Sequence, residues 1–195
     1  MSEALLVLIS GPPGAGKTTL GAKIARGLGV PFIHKDGLKE LLFDTLGWKD
    51  RAWSRQLGIA STVLLFHVVE RQLAAGQSVV AESAFHTAFD APRLRRLQEQ
   101  YRFQTLEVHC TTQPGVLLER FAERARSAER HSGHGEGSQA EELRANLERG
   151  VYGPLSSPEQ TLIVDTTNFA DVDDQRLLQR IRARTGRTSP GEEAH

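Results

Sequence analysis

Short, dense apolar runs alternate along this chain with longer stretches in which apolar residues recur every three or four positions. The first run, Leu5-Leu6-Val7-Leu8-Ile9, is unbroken, as expected of a parallel strand covered on both faces. Leu5–Ser10, Pro31–His34, Ser78–Glu82, Phe103–Cys110 and Thr161–Asp165 form the set of predicted strands. Between them the period lengthens. Trp53, Leu57, Ala60, Leu64 and Val68 mark the longest helical stripe. Pro92 to Leu97 opens a second helix, with proline near its first turn and Tyr101 continuing its apolar face. Leu117, Leu118, Phe121 and Ala125 mark a third, whose opposite face carries Glu119, Arg120, Glu123, Arg124 and Arg126. Strand followed by helix, repeated, predicts an α/β fold around a parallel sheet.

Two segments lack this rhythm. Ser132 to Ser138 is polar and glycine-rich, a predicted mobile loop between two helices. The end of the chain, from about residue 185, has no apolar anchor and is expected to be disordered over 186–195. With 195 residues and no internal repeat or linker, residues 1–185 are expected to form one domain. Lys plus Arg equals Asp plus Glu at 24 each, so no net field draws the chain to a long polyanion or a membrane. The single cysteine, Cys110, excludes an internal disulfide and a cysteine zinc cluster. A cytoplasmic location is expected.

The residues after the first strand carry the strongest chemical signal. Gly11-Pro12-Pro13-Gly14-Ala15-Gly16-Lys17-Thr18 fits the phosphate-binding loop G-x-x-x-x-G-K-[ST], and Thr19 continues into a predicted helix. Glycines let the backbone wrap a polyphosphate, and the helix start adds unpaired N–H groups. Lys17 is expected to reach the β- and γ-phosphates, and the Thr18 hydroxyl to hold Mg²⁺. The chain is therefore expected to bind a nucleoside triphosphate.

Absences narrow the class. There is no N-K-x-D to read guanine and no L-S-G-G-Q of transporter ATPases, and the chain is short for a motor with a separate helical subdomain. What remains resembles the small P-loop kinases. Past the second strand, Asp36 and Lys39 lie three apart at a helix start and could face one cleft. Asp36 could orient or accept the proton of an attacking hydroxyl, and Lys39 could hold an anion of the acceptor. Alternatively, Asp36 is only the N-cap of a Gly37–Leu46 helix and Lys39 a solvated lysine. Ser83, Phe85 and His86 are candidates for the acceptor pocket, and Trp48 and Trp53 for the core or the pocket rim. Asn168 is read as the cap of the helix holding Leu177, Leu178 and Ile181, with the backbone of Val164–Asn168 free to pack beside adenine. His131 and His134 form a weak metal pair with no third ligand nearby.

With these residues the chain resembles the zeta-toxin and polynucleotide-kinase-like group of P-loop kinases, in which an Asp ends the second strand and a basic residue follows three positions later. Lys39 supplies a point charge where phage polynucleotide kinase has arginine. The resemblance implies a five-stranded parallel sheet of order 2-3-1-4-5 in a three-layer sandwich, with a helical lid at about 120–140. It implies that Glu82, at the end of the third strand, contacts the acceptor or holds water on Mg²⁺. It also implies that lid arginines, among Arg120, Arg124 and Arg130, neutralise the transferring phosphate. The expected activity is ATP- and Mg²⁺-dependent transfer to a hydroxyl of a small-molecule or nucleotide acceptor. A polynucleotide 5′-hydroxyl kinase, a toxin-like sugar-nucleotide kinase and a slow ATP-hydrolysing switch are the alternatives.

Overall fold

A computed structural model describes residues 3–126 and 139–186, without the side chains of 124–126 and 139–140. Five parallel strands form one sheet: β1 (Ala4–Ser10), β2 (Phe32–His34), β3 (Val79–Glu82), β4 (Phe103–Thr111) and β5 (Thr161–Asp165). Their spatial order is β2-β3-β1-β4-β5, as the resemblance implied. Each predicted strand is present, with ends within a residue of expectation. The central strand β1 is buried at every position and pairs with β3 and β4.

Alternation along β1 assigns its side chains to two cores. Leu5, Val7 and Ile9 pack with Leu20 and Ile24 of α1 (Lys17–Leu28) and with Leu177, Leu178 and Ile181 of the C-terminal helix. Leu6 and Leu8 pack on the other face with Leu65, Val69 and Leu73, and with Leu94 and Leu97. The remaining helices are α2 (Lys35–Leu46), α3 (Arg51–Ala74), α4 (Thr87–Gln100), α5 (Pro114–Arg126), α6 (Gln139–Glu148) and α7 (Asp174–Thr185). These layers place helices on both faces of the sheet, the expected sandwich.

Four local expectations change. The buried stripe of α3 is Leu57, Ser61, Leu65, Val69 and Leu73, whereas Leu64 is exposed. This helix is apolar nearly all round, with Ile59 and Val63 on its open side, so periodicity could not fix its phase. By length and composition it could cross a membrane. Next, α4 begins at Thr87, a turn before the expected start, with Pro92 inside. That first turn is held from outside: Asp90 accepts the His86 N–H at 2.8 Å, and Thr87 Oγ1 donates to the carbonyls of Val151 and Gly153. The N-cap of α2 is His34, whose Nδ1 accepts the Gly37 N–H at 3.0 Å, so Asp36 lies inside the first turn. Lastly, Asp173 caps α7 through the Arg176 N–H, while Asn168 caps a short 3-10 turn at Phe169–Asp171. A nearer backbone donor satisfied Asn168 first.

Candidate active site

Strand β1 ends at Ser10, and the chain turns at Gly11 with φ of +123°. A Cβ at that position would lie 2.3 Å from the Cys110 carbonyl oxygen, so only glycine fits. The loop closes on Gly16 in the left-handed region, and α1 then starts with no side-chain cap and no acidic residue in its first turn. Its first amides are thus left to an anion, with no acidic side chain of the helix's own first turn competing for them. Lys17 is buried; its ammonium donates to the Pro12 carbonyl at 2.9 Å and lies 3.8 Å from Glu82 Oε1. Thr18 Oγ1 donates to Glu82 Oε2 at 2.9 Å. The ends of β1 and β3 are adjacent, with Ile9 beside Glu82 in register, so the sheet itself delivers this carboxylate to the loop. Thr18 and Glu82 offer adjacent hard oxygens, a donor set that suits Mg²⁺.

The loop after β5 is fastened to the P-loop. The buried Thr166 Oγ1 is 3.0 Å from the Ala15 carbonyl oxygen, 2.9 Å from that of Thr111 and 2.7 Å from Thr112 Oγ1. Its single hydrogen is shared between the two carbonyls, and Thr112 donates to it. Arg120 donates from its two terminal nitrogens to the carbonyls of Thr166 and Thr167, at 2.9 and 2.8 Å. In this arrangement its guanidinium braces the loop after β5. The Arg124 side chain, Arg130, and both His131 and His134 lie outside the described residues, as do the expected loop at 132–138 and the tail beyond 186.

On the other side of the P-loop, a cavity of about 240 Å³ opens between α2, α3 and α6. Its lining includes Pro13, Lys39, Arg51, Arg55, Asn146 and Tyr152. Lys39 donates to Ser54 Oγ at 3.0 Å and lies over the Phe43 ring. Asp36 sits a turn earlier on α2, about half exposed, 3.8 Å from the Lys35 ammonium. Ser83 and Phe85 are instead buried in the sheet region, His86 precedes α4, and Trp48 is exposed. None of these, nor Trp53, whose indole N–H donates to the Gly47 carbonyl, lines this cavity. A larger hollow of about 720 Å³ lies by Phe103 and Gln160, at the amino ends of β4 and β5, away from the loop. Parallel sheets bind ligands at the carboxyl ends, so the smaller cavity is the relevant one.

Sequence reading missed a buried polar group beneath the P-loop. Glu107, fully buried on β4, accepts the N–H groups of Leu155 (2.9 Å) and Ser156 (2.7 Å) and the Ser10 hydroxyl. Ser10 Oγ also lies 2.8 Å from His109 Nδ1. The serine hydrogen goes to Glu107, so Nδ1 of His109 carries the proton and donates. Burial pushes the His109 pKa down, keeping the ring neutral. The signal was available: Thr105, Glu107 and His109 alternate on one face of a strand that has little exposure.

Comparison with known proteins now bears on this site. The family model of AAA_33, an AAA domain, matches residues 6–149. The chain belongs to that AAA-domain family. No curated protein matches it by sequence. Among solved structures, a protein from Chloroflexus aurantiacus called a "putative kinase" is 34% identical, with 94% of this chain and 96% of that one covered and a TM-score of 0.82. Shikimate kinase from Bacteroides thetaiotaomicron is 23% identical, covering 92% and 97%, with a TM-score of 0.55. The Mycobacterium tuberculosis APS kinase, solved with AMPPNP and APS, is 16% identical, covering 94% and 98%, at 0.55. The last two carry the fold alone. This AAA-domain protein is a small P-loop kinase, an ATP-dependent phosphotransferase, as its sequence indicated.

Proposed function

We propose that this AAA-domain protein transfers the γ-phosphate of ATP to a hydroxyl of a small molecule held in the cavity beside Pro13. The observation that carries this reading is the continuity of the two sites. The P-loop that positions Lys17 also forms a wall of a cavity whose other walls belong to α2, α3 and α6. A cavity of about 240 Å³ is below the roughly 300–1,000 Å³ usual for drug-sized ligands, which favours a small acceptor over a nucleotide or a strand end.

In this mechanism the backbone N–H groups from Gly14 to Thr19 and the Lys17 ammonium hold the β- and γ-phosphates, with Gly11, Pro12 and Pro13 shaping the loop. Thr18 and Glu82 are the residues that would hold Mg²⁺, which when bound offsets charge on the phosphate oxygens. Asp36 orients the acceptor hydroxyl and takes its proton as the oxygen bonds to the γ-phosphorus. The bond from that phosphorus to the β–γ bridging oxygen breaks, and ADP leaves. Arg120 steadies the loop after β5, against which the adenine packs. Arg124 and Arg130 are the lid residues assigned to charge on the equatorial oxygens. The expected location is the cytoplasm.

Acceptor-dependent release of ADP and equilibrium binding of ATP test this together. Asp36→Asn should retain ATP affinity within about threefold while transfer falls by roughly 10²-fold or more. An Asp36→Asn enzyme with full transfer would remove the carboxylate from the mechanism.

A further inference from the structure

The acceptor cavity is strongly basic in a chain with no net charge. Lys39, Arg51 and Arg55 line it against one lining carboxylate, Glu142, although the whole sequence balances 24 basic with 24 acidic residues. The basic residues are not scattered. Arg51, Ser54, Arg55 and Gly58 occupy successive turns of one face of α3, a polar stripe on a helix otherwise rich in apolar residues. Each of the first two cations is already oriented. Arg51 pairs with Glu142 of α6, which joins the two walls of the cavity. Lys39 is directed by Ser54 and by the Phe43 ring. Arg55, an exposed residue of the lining, makes no ion pair among the described residues. Gly58, also in the lining, keeps the α3 wall free of a side chain next to the Lys39 ammonium.

We propose that the acceptor of this kinase is a small hydroxylated anion, a carboxylate or phosphate monoester, whose charged group is held by Arg55 with Lys39 and Arg51 while its hydroxyl end faces the P-loop. This rests on the kinase reading above and adds the substrate's charge. A planar guanidinium can take two oxygens of such a group at once, and the lysine adds a point charge. The reacting hydroxyl must lie at the Pro13 side of the cavity; Asp36 is outside the lining, one turn before Lys39 on α2. The arginines stand on α3, the neighbouring helix, and so bind the part of the molecule that does not react. Neutral polyols of the same size offer the Arg55 guanidinium no anion and bind more weakly. Tyr152 and Asn146, joined at 3.2 Å on the facing wall, are positioned for the intervening hydroxyls.

The test uses matched compounds that differ in charge: a hexose, the corresponding hexonic acid and the hexose phosphate. Each is titrated into full-length protein saturated with Mg·AMPPNP, and each is assayed as acceptor with γ-labelled ATP. At least one anionic member should bind ten- to a hundredfold more tightly than its neutral partner, the span of a charge-assisted hydrogen-bond pair. Arg55→Met should erase most of that preference by raising the KM of the anionic acceptor, and Arg55→Lys should restore part of it. The carboxylate and phosphate arms separate the two anion types. Equal affinity for neutral and anionic members, or no binding of any anionic member, overturns the proposal. If neutral acceptors are phosphorylated while anionic ones are not, the charge assignment falls and the kinase reading stands. Failure of the protein to bind AMPPNP would sink the kinase reading itself.

Discussion

Glu107 offers the sharpest test of how this fold holds its site, because its carboxylate is fully buried yet touches no substrate-facing group. It accepts two backbone amides of the segment following α6, at 2.9 and 2.7 Å, together with the hydroxyl that ends β1. Truncation to alanine orphans both amides and leaves a cavity. Each unsatisfied buried donor costs about 1–3 kcal/mol, and part of that is offset by no longer keeping a carboxylate out of water. The expected loss for Glu107→Ala is about 3 kcal/mol. At this chain length each kcal/mol corresponds to about 2–4 °C, so Tm should fall by roughly 6–12 °C. Glu107→Gln keeps the shape and one acceptor oxygen but turns an amide donor toward other donors, and should cost about half as much. Urea denaturation followed by circular dichroism, with the slope held constant across variants, measures both. A loss below about 1 kcal/mol for alanine, or a glutamine variant worse than alanine, would refute the reasoning that Glu107 works as an acceptor of backbone amides.

Other consequences can be checked with simple measurements. Lys17→Ala should reduce ATP affinity at least tenfold in calorimetry and abolish turnover, because the proposed mechanism assigns the phosphates to this buried ammonium; retained turnover contradicts its assignment. Gly11→Ala should destabilise by about 2–4 kcal/mol, read as a drop in Tm, since a Cβ collides with the Cys110 carbonyl at a φ reserved for glycine. Burial raises the Cys110 thiol to about 12. It should therefore resist iodoacetamide at pH 8 when folded and react in urea, and rapid labelling of the native protein would show the strand to be open. His109 has a folded-state pKa below its unfolded value of 6.5, so the unfolded chain binds the proton more readily. Its contribution to stability is full above that value and is lost as pH falls past it toward the folded pKa. His109→Asn should flatten the slope of stability against pH in that window, and an unchanged slope would place the titration elsewhere.

The topology was legible because its determinants are local and repeated: a run such as Leu5–Ile9 suits little besides a central parallel strand, and the glycine and lysine spacing of residues 11–18 fits a phosphate loop. What stayed hidden depends on partners distant in sequence. The phase of α3 could not be read because Ile59, Val63 and Leu64 are as apolar as the residues that face the sheet. The cap of α2 went to His34 in place of Asp36 because a ring nitrogen can accept a backbone hydrogen as a carboxylate does, a role seldom assigned to histidine. The basic wall proposed for the acceptor required Arg51 and Arg55 to meet Lys39 across two helices, which no spacing along the chain reveals. Glu107 was overlooked since the amides it accepts lie 48 and 49 residues away.

One hydroxyl group has a wider reach than its size implies. Because Thr166 Oγ1 reaches both the Ala15 carbonyl of the P-loop and the Thr111 carbonyl at the end of β4, the phosphate loop and the loop proposed to pack against adenine share a single fulcrum. On the proposed placement of the base, looseness in one loop propagates to the other, so selection for a different base would also disturb the grip on its triphosphate.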